Sequence, residues 1–200
     1  MIVRTASINM ALTAVIAAVT ATPSRAQEFH VDIDRPNEAK FVAETNLADI
    51  EGTTERIDGF AFWPSGELIE GSDYEGSEFY FEVELNALDT GINLRNRHMR
   101  ERFLESDNFP YSIYSGAIDS VHTLAATSWT VYSSGTFTIH GVEKPTAISC
   151  PVSRAGEGFH VRCNFDVLLS DHEIPIPSFM GIAVKDLVHV ELDFYLTPAE

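Results

Sequence analysis

The feature that most restricts the fold is a two-residue alternation of apolar and polar side chains that returns in nine separate segments. They are "FHVDI" (29–33), "AKFVAET" (39–45), "RIDGFAFW" (56–63), "SEFYFEVEL" (77–85), "YSIYSGAI" (111–118), "SWTVYSSGTFTIH" (128–140), "TAISCPV" (146–152), "GFHVRCNFDVLL" (158–169) and "LVHVELDFYL" (187–196). Successive side chains of a strand point to opposite faces, so this period reads as strands with one dry and one wet face. In "SEFYFEVEL", Phe79, Phe81, Val83 and Leu85 share one face while Tyr80, Glu82 and Glu84 share the other. Many such strands on short connections predict an all-β chain, an antiparallel sandwich or barrel.

One stretch breaks the period. "TGINLRNRHMRERFL" (90–104) carries Arg95, Arg97, Arg100 and Arg102 within eight residues, with His98 between them. Met99 and Phe103 stand four apart and Ile92 seven before Met99, a narrow apolar stripe on an otherwise charged cylinder. The spacing predicts one short helix over residues 93–104, marginal unless it lies across an apolar surface. Pro110 stops it before the next strand.

Residues 1–26 are read as a secretory signal peptide: Arg4, then the apolar run "MALTAVIAAVTA", then small residues at Ser24 and Ala26. The run is shorter than the ~20 residues that cross a bilayer, so no integral membrane protein is expected. With no cysteine near the cleavage point, a lipid-modified N-terminus is not expected either. The mature chain, residues 27–200, is predicted to be a single periplasmic domain. The full chain has 13 basic and 30 acidic residues, a net charge of -17. Setting aside Arg4 and Arg25 leaves 11 basic residues and a net charge of -19. Such a surface repels phosphate backbones and anionic bilayers, so neither nucleic acid nor peripheral membrane binding is expected from composition.

Export to an oxidising compartment makes a Cys150–Cys163 disulfide the expected state, with two buried thiols as the alternative. A hairpin turning at Gly156-Glu157 sets Cys150 opposite Cys163, Val152 opposite Val161 and Ile148 opposite Phe165, which gathers the apolar residues on one face. Pro151 falls at a hydrogen-bonding position of that ladder, so a bulge or shifted turn is the competing geometry.

The seven histidines show no metal-ligand spacing, and no nucleophile elbow, phosphate loop or C-x-x-C pair occurs. No metal or cofactor is expected. Asp171, His172 and Glu173 are adjacent, but strand neighbours face opposite ways and cannot converge on one substrate.

The motifs resemble a known family. "TG" at 90–91, "RNRHMRERFL" at 95–104, "FP" at 109–110 and, downstream, "GTFTIHGVEKP" at 135–145 resemble the two signatures of the YceI-like lipid/polyisoprenoid-binding family. The similarity runs from "HVDIDRPNEAKFVA" to "VKDLVHVELDF". "SDHEIPIPSFMGI" departs from the family pattern near the C-terminus, and "WPSGELIEGSDYEGSE" is unusually acidic, departures that bear on the ligand more than on the fold.

The resemblance implies a lipocalin-like, eight-stranded antiparallel barrel whose interior holds a polyisoprenoid, quinone or related lipid, without turning it over. The expected wall is Phe79, Phe81, Val83, Ile113, Phe137, Ile139 and Phe165. Arg95 and His98, as motif members, would hold an anionic head group at the mouth, guanidinium forks suiting phosphate or carboxylate. The competing reading pairs the arginines with Glu101, Glu105 and other carboxylates at ~0 to 1 kcal/mol each. Thr90 and Gly91 are read as setting the turn into the helix, and His140 and Gly141 as shaping a strand end. Two other functions fit the same residues: an enzyme acting on such lipids with His98 or His172 as base, and an interaction module with a filled barrel. A homodimer is compatible with the sequence.

Overall fold

A computed structural model describes residues 27–179 and 181–199, and the leader assigned to residues 1–26 lies outside them. The strands are β1 (Gln27–Val31), β2 (Glu38–Thr45), β3 (Ile50–Thr54), β4 (Ile57–Trp63), β5 (Glu78–Glu84), β6 (Tyr111–Ala125), β7 (Ser128–Ile139), β8 (Val142–Ala155), β9 (Gly158–Leu168), β10 (Ser178–Phe179) and β11 (Ile182–Pro198). They make eight wall positions. β1 and β2 follow one another along β11, the first at Leu196–Pro198 and the second between Val184 and Asp193. β3 and β4 follow one another along β2 and β1 in the same way. The order then runs β4-β5-β6-β7-β8-β9-β11 and closes on β1, all antiparallel, with β10 an appendage of β11. This is the closed eight-stranded barrel expected above. β3 is the wall strand that alternation misses: "IEGTT" has one apolar side chain, and Gly52 leaves room for the ring of Phe41 opposite it.

The connections obey the local chemistry. Ile139 pairs Val142 across a two-residue turn, His140-Gly141, whose φ values are 54° and 73°. That is the type I′ geometry matching strand twist, so His140 and Gly141 do shape the strand end. Gly116 sits opposite Gly135, and a Cβ on Gly116 would lie 2.2 Å from the Ser134 carbonyl oxygen. Between β1 and β2, buried Asn37 donates to the Asp32 carbonyl at 2.9 Å and accepts from the Tyr195 N–H at 3.0 Å, satisfying backbone where the paired strand is interrupted.

The β8–β9 hairpin turns where expected: Val152 pairs Val161 and Ala155 pairs Gly158, and Cys150 is bonded to Cys163. No bulge or shifted turn occurs. Instead the ladder stops at Val152–Val161. In a two-residue hairpin the closing pair exchanges hydrogen bonds, and every second pair beyond it does too, which puts residue 151 at a bonding position. Proline there has no N–H to give, so the ladder ends and the expected Ile148–Phe165 pairing does not form. The disulfide staples the wall at the point where backbone pairing runs out.

The end bearing the β8–β9 turn is plugged by aromatics. Phe29 stacks on Trp63 with centroids 4.6 Å apart, Phe159 meets Phe29 edge-on at 5.1 Å, and Trp129 meets Phe159 at 6.1 Å. Phe29 and Phe159 have no exposed surface, each burial contributing about 1.5–3 kcal/mol. Arg154 lies 4.4 Å from the Phe159 centroid and pairs with Glu67 of the loop beneath, sealing the plug from outside.

Candidate functional site

The opposite end is covered by the Arg-rich segment, as a helix α1 (Asn93–His98) followed by a π-helical turn over Met99–Phe103 in which the Leu104 N–H donates to the Met99 carbonyl at 2.8 Å. One wider turn replaces the last stretch of the expected helix. The segment is fixed by a polar knot. Buried Asn96 accepts from the Thr90 N–H at 2.8 Å and its hydroxyl at 2.5 Å, and donates to Asp89 at 2.7 Å. Asp89 also accepts from the Gly91 N–H, and that bond together with Asn96 holds its carboxyl below the usual aspartate range. Its backbone bonds reciprocally to Thr53 of β3 at 2.8 and 3.0 Å. Thr90 and Gly91 thus set the turn, with Asn96 as the clasp.

Between the helical cover and the aromatic plug lies a cavity of about 880 Å³, within the size range of small-molecule sites. Six of the seven expected wall residues line it: Phe79, Phe81, Val83, Phe137, Ile139 and Phe165. Ile113 does not. β5–β6 register sets Phe81 against Tyr114 and Glu82 against Ile113, so Ile113 points outward beside Thr138 and the inward residues are Ser112, Tyr114 and Ile118. Alternation in "YSIYSGAI" gives a period but not a phase, and here the more polar residues face inward, against the apolar-inside expectation that points to Ile113. Tyr114 tolerates the interior because Ser133 and the Thr146 carbonyl lie 3.1 and 3.2 Å from its hydroxyl. Burial pushes its phenol up, so it stays neutral.

Ile92, Arg95, His98, Met99, Arg102 and Phe103 turn toward the cavity, the spacing of one helical face. Arg95 is held by Thr90, from Nε to Oγ1 at 2.8 Å and from Nη2 to the carbonyl at 2.5 Å. Arg100 faces away and donates to the Leu88 carbonyl at 2.7 Å. The lysine and arginine ion pairs among the described residues are Lys40–Glu51, Arg154–Glu67 and Lys185–Glu44, so the helix arginines are not tied to Glu101 or Glu105. No aspartate or glutamate lines the cavity among the described residues, although the chain has 30. Its ionisable lining is Lys40, Arg95, His98, Arg102 and Tyr114, with Cys150 and Cys163 locked in the disulfide.

His172 lies outside this lining. It is buried, its Nδ1–H donates to the Val142 carbonyl at 3.0 Å, and burial pushes its pKa down, leaving it neutral. Its neighbours Asp171 and Glu173 are exposed. Histidine–carboxylate hydrogen bonds occur at His30–Glu28, His122–Glu70, His160–Asp193 and His189–Asp166, none of them in the cavity wall. No cluster with metal-binding geometry occurs among the described residues.

Alternation alone could not reveal Lys40, Trp63, Ser112 and Arg102 as lining residues. Lys40 borders the cavity from the outward phase of β2, its ammonium 3.4 Å from exposed Glu51, Ser112 is a polar residue on the inner face, Trp63 is the floor, and Arg102 is in phase with Arg95 only once the helix axis is known.

A family model described as "YceI-like domain" matches residues 29–196. No curated protein matches the chain. Among solved structures, a polyisoprenoid-binding domain from Saccharophagus degradans, implicated in plant cell wall breakdown, aligns with a TM-score of 0.66 at 15% identity, covering 88% of this chain and 100% of its own. BcnA of Burkholderia cenocepacia aligns at 0.65 and 12% identity, covering 84% and 99%. The Campylobacter jejuni YceI protein aligns at 0.55 and 11%, covering 78% and 88%. At these identities the likeness is one of fold.

Proposed function

The chain belongs to the YceI-like domain family, and on that premise we propose that it is an exported, periplasmic, non-enzymatic carrier that holds one long-chain amphiphile, a polyisoprenoid, isoprenoid quinone or related lipid. The observation that carries this is the cavity itself, apolar along its depth, plugged at one end and bounded at the other by cations without a carboxylate among them. An isoprenoid tail inside gains ~25 cal/mol per Å² of apolar surface removed from water. A head group at the mouth meets His98 and the two inward guanidiniums, Arg95 pre-oriented by Thr90 and Arg102 in none of the ion pairs among the described residues. The Saccharophagus degradans domain, by its description a polyisoprenoid binder, supports the same ligand class. In support of the non-enzymatic reading, the His–carboxylate hydrogen bonds among the described residues are at His30, His122, His160 and His189, and none pairs His98 of the lining with an acid.

Titrating the mature protein with a long-chain isoprenoid alcohol and its monophosphate tests this, read by the fluorescence of Trp63 in the cavity floor. Both are expected to saturate at one per chain. The phosphate is expected to bind about tenfold tighter, a preference that Arg95→Gln with Arg102→Gln removes. No saturable response to either probe would overturn the carrier reading, and an unchanged preference in the double variant would overturn the head-group assignment.

A further inference from the structure

The two ends of the barrel differ in what they show to solvent. At the helix-covered end, Leu47 is 75% exposed, Ile92 and Leu94 53%, Ile176 46% and Ile182 38%. These come from three separate stretches: the β2–β3 turn, residues 92–94 entering α1, and the chain from 176 to the start of β11. Hydrogen bonds draw two of the stretches together, since Asn46 donates to the Gly181 carbonyl at 2.9 Å and accepts from the Ala183 N–H at 3.3 Å. Ile92, Leu94 and Ile182 also line the cavity, so the exposed side chains form a rim around its mouth. Scattered apolar residues on a surface need no explanation, whereas a ring around an opening does.

The charges at this end sort in a matching way. Arg95 and Arg102 face the mouth. Of the carboxylates at this end, Glu44 is paired with Lys185, whereas Asp186 and Asp89 accept hydrogen bonds from Ser170 and from Asn96 and Gly91 and keep their charge, but none of the three lines the mouth. The acidity of the molecule as a whole opposes an anionic surface, but beyond about 8 Å that repulsion is screened at physiological ionic strength, so groups at the rim decide.

We infer that this rim docks the protein on a lipid bilayer, the apolar ring entering the interfacial layer while Arg95 and Arg102 meet lipid phosphates. The inference rests on the carrier reading, because it supplies the step that reading lacks: a tail too apolar to cross water passes from bilayer to cavity through an opening sealed against the membrane. An apolar ring with cations at its inner edge is the pattern of a protein that lies on a membrane surface rather than spanning it.

Flotation with phosphatidylcholine vesicles containing phosphatidylglycerol tests it. Leu47→Glu with Ile176→Glu alters the rim at two positions that do not line the cavity, and Ile33→Glu with Leu124→Glu places the same charges on exposed residues at the other end. The wild-type chain is expected to float with the vesicles, the rim variant to lose about tenfold or more in partitioning, and the distal variant to behave as wild type. Both variants are expected to take up the isoprenoid probe normally. A wild-type chain that takes up the probe but stays unbound, or equal loss in both variants, overturns the docking face alone. Failure of probe uptake with vesicle binding intact overturns the carrier reading instead. A dimer in solution that the rim variant dissociates would assign the ring to a second copy of the chain and overturn bilayer docking.

Discussion

Val131→Phe combined with Val190→Phe is expected to lower lipid occupancy to below about one-tenth of wild type while leaving the ligand-free protein as stable as before or more so. Both valines are half-buried and line the cavity from β7 and β11. In a filled core, extra carbon forces neighbours off their rotamers and costs about 1–3 kcal/mol. In an open cavity the new rings gain contacts instead and remove the space a tail would fill. The sign of the stability change therefore separates an open barrel from a filled one, which is the difference between a carrier and an interaction module with the same backbone. Stability is read by urea unfolding of delipidated protein, because bound ligand would add its own stabilisation. A loss above about 1 kcal/mol with occupancy unchanged would mean that the interior is ordinary core.

The second large effect belongs to the disulfide. Replacing both Cys150 and Cys163 by serine is expected to cost about 3 kcal/mol, the typical value for a closed loop of this size, or roughly 6–12 °C in melting temperature for a chain of this length. A hairpin with a full ladder would retain its backbone bonds when the link is cut. Here the β8–β9 ladder ends at Val152–Val161, two residues short of the cysteines, because Pro151 cannot donate. Both cysteines line the cavity, so the double variant is also expected to release bound lipid faster. Unfolding midpoints that agree within about 1 °C would show that side-chain packing alone holds this part of the wall.

Alternation exposed most of the fold because the barrel has one wet and one dry face on each wall strand, the condition under which a period of two is written into the residues. It failed where that condition fails. β3 carries little apolar content since Gly52 yields its space to Phe41, and β10 is a two-residue pairing. Phase was harder than period. In β6 the inward residues Ser112 and Tyr114 are more polar than outward Ile113, and only the register with β5 reveals which face is inside. The Cys150–Cys163 link was legible because a two-residue turn sets the register that brings these two residues opposite each other, even though the backbone ladder stops before reaching them. The consequence of Pro151 was half legible: the lost donor could be read, but whether the turn shifts or the ladder stops depends on the disulfide and the packing around it. Within the helical segment, the Asn96 clasp was visible as a motif residue but not as a role, since its partners Asp89 and Thr90 are brought to it only when the chain folds back on β3.

The asymmetry of the molecule follows from the same residues. Bulky aromatics cluster where β1, β4, β7 and β9 converge and close one end, while the other is spanned by a single-layer helical cover whose inner face mixes Met99 and Phe103 with Arg95 and Arg102. A tail can be buried at depth and a charge met at the mouth without either crossing the other's environment.

Native mass spectrometry of the mature protein, purified from its own host without detergent, tests the central claim most directly. The expected spectrum shows each chain with one additional mass that departs on denaturation and is identified as a long-chain isoprenoid or related lipid. A spectrum of bare chain alone, unchanged after incubation with total lipid extract from the same cells, would contradict it.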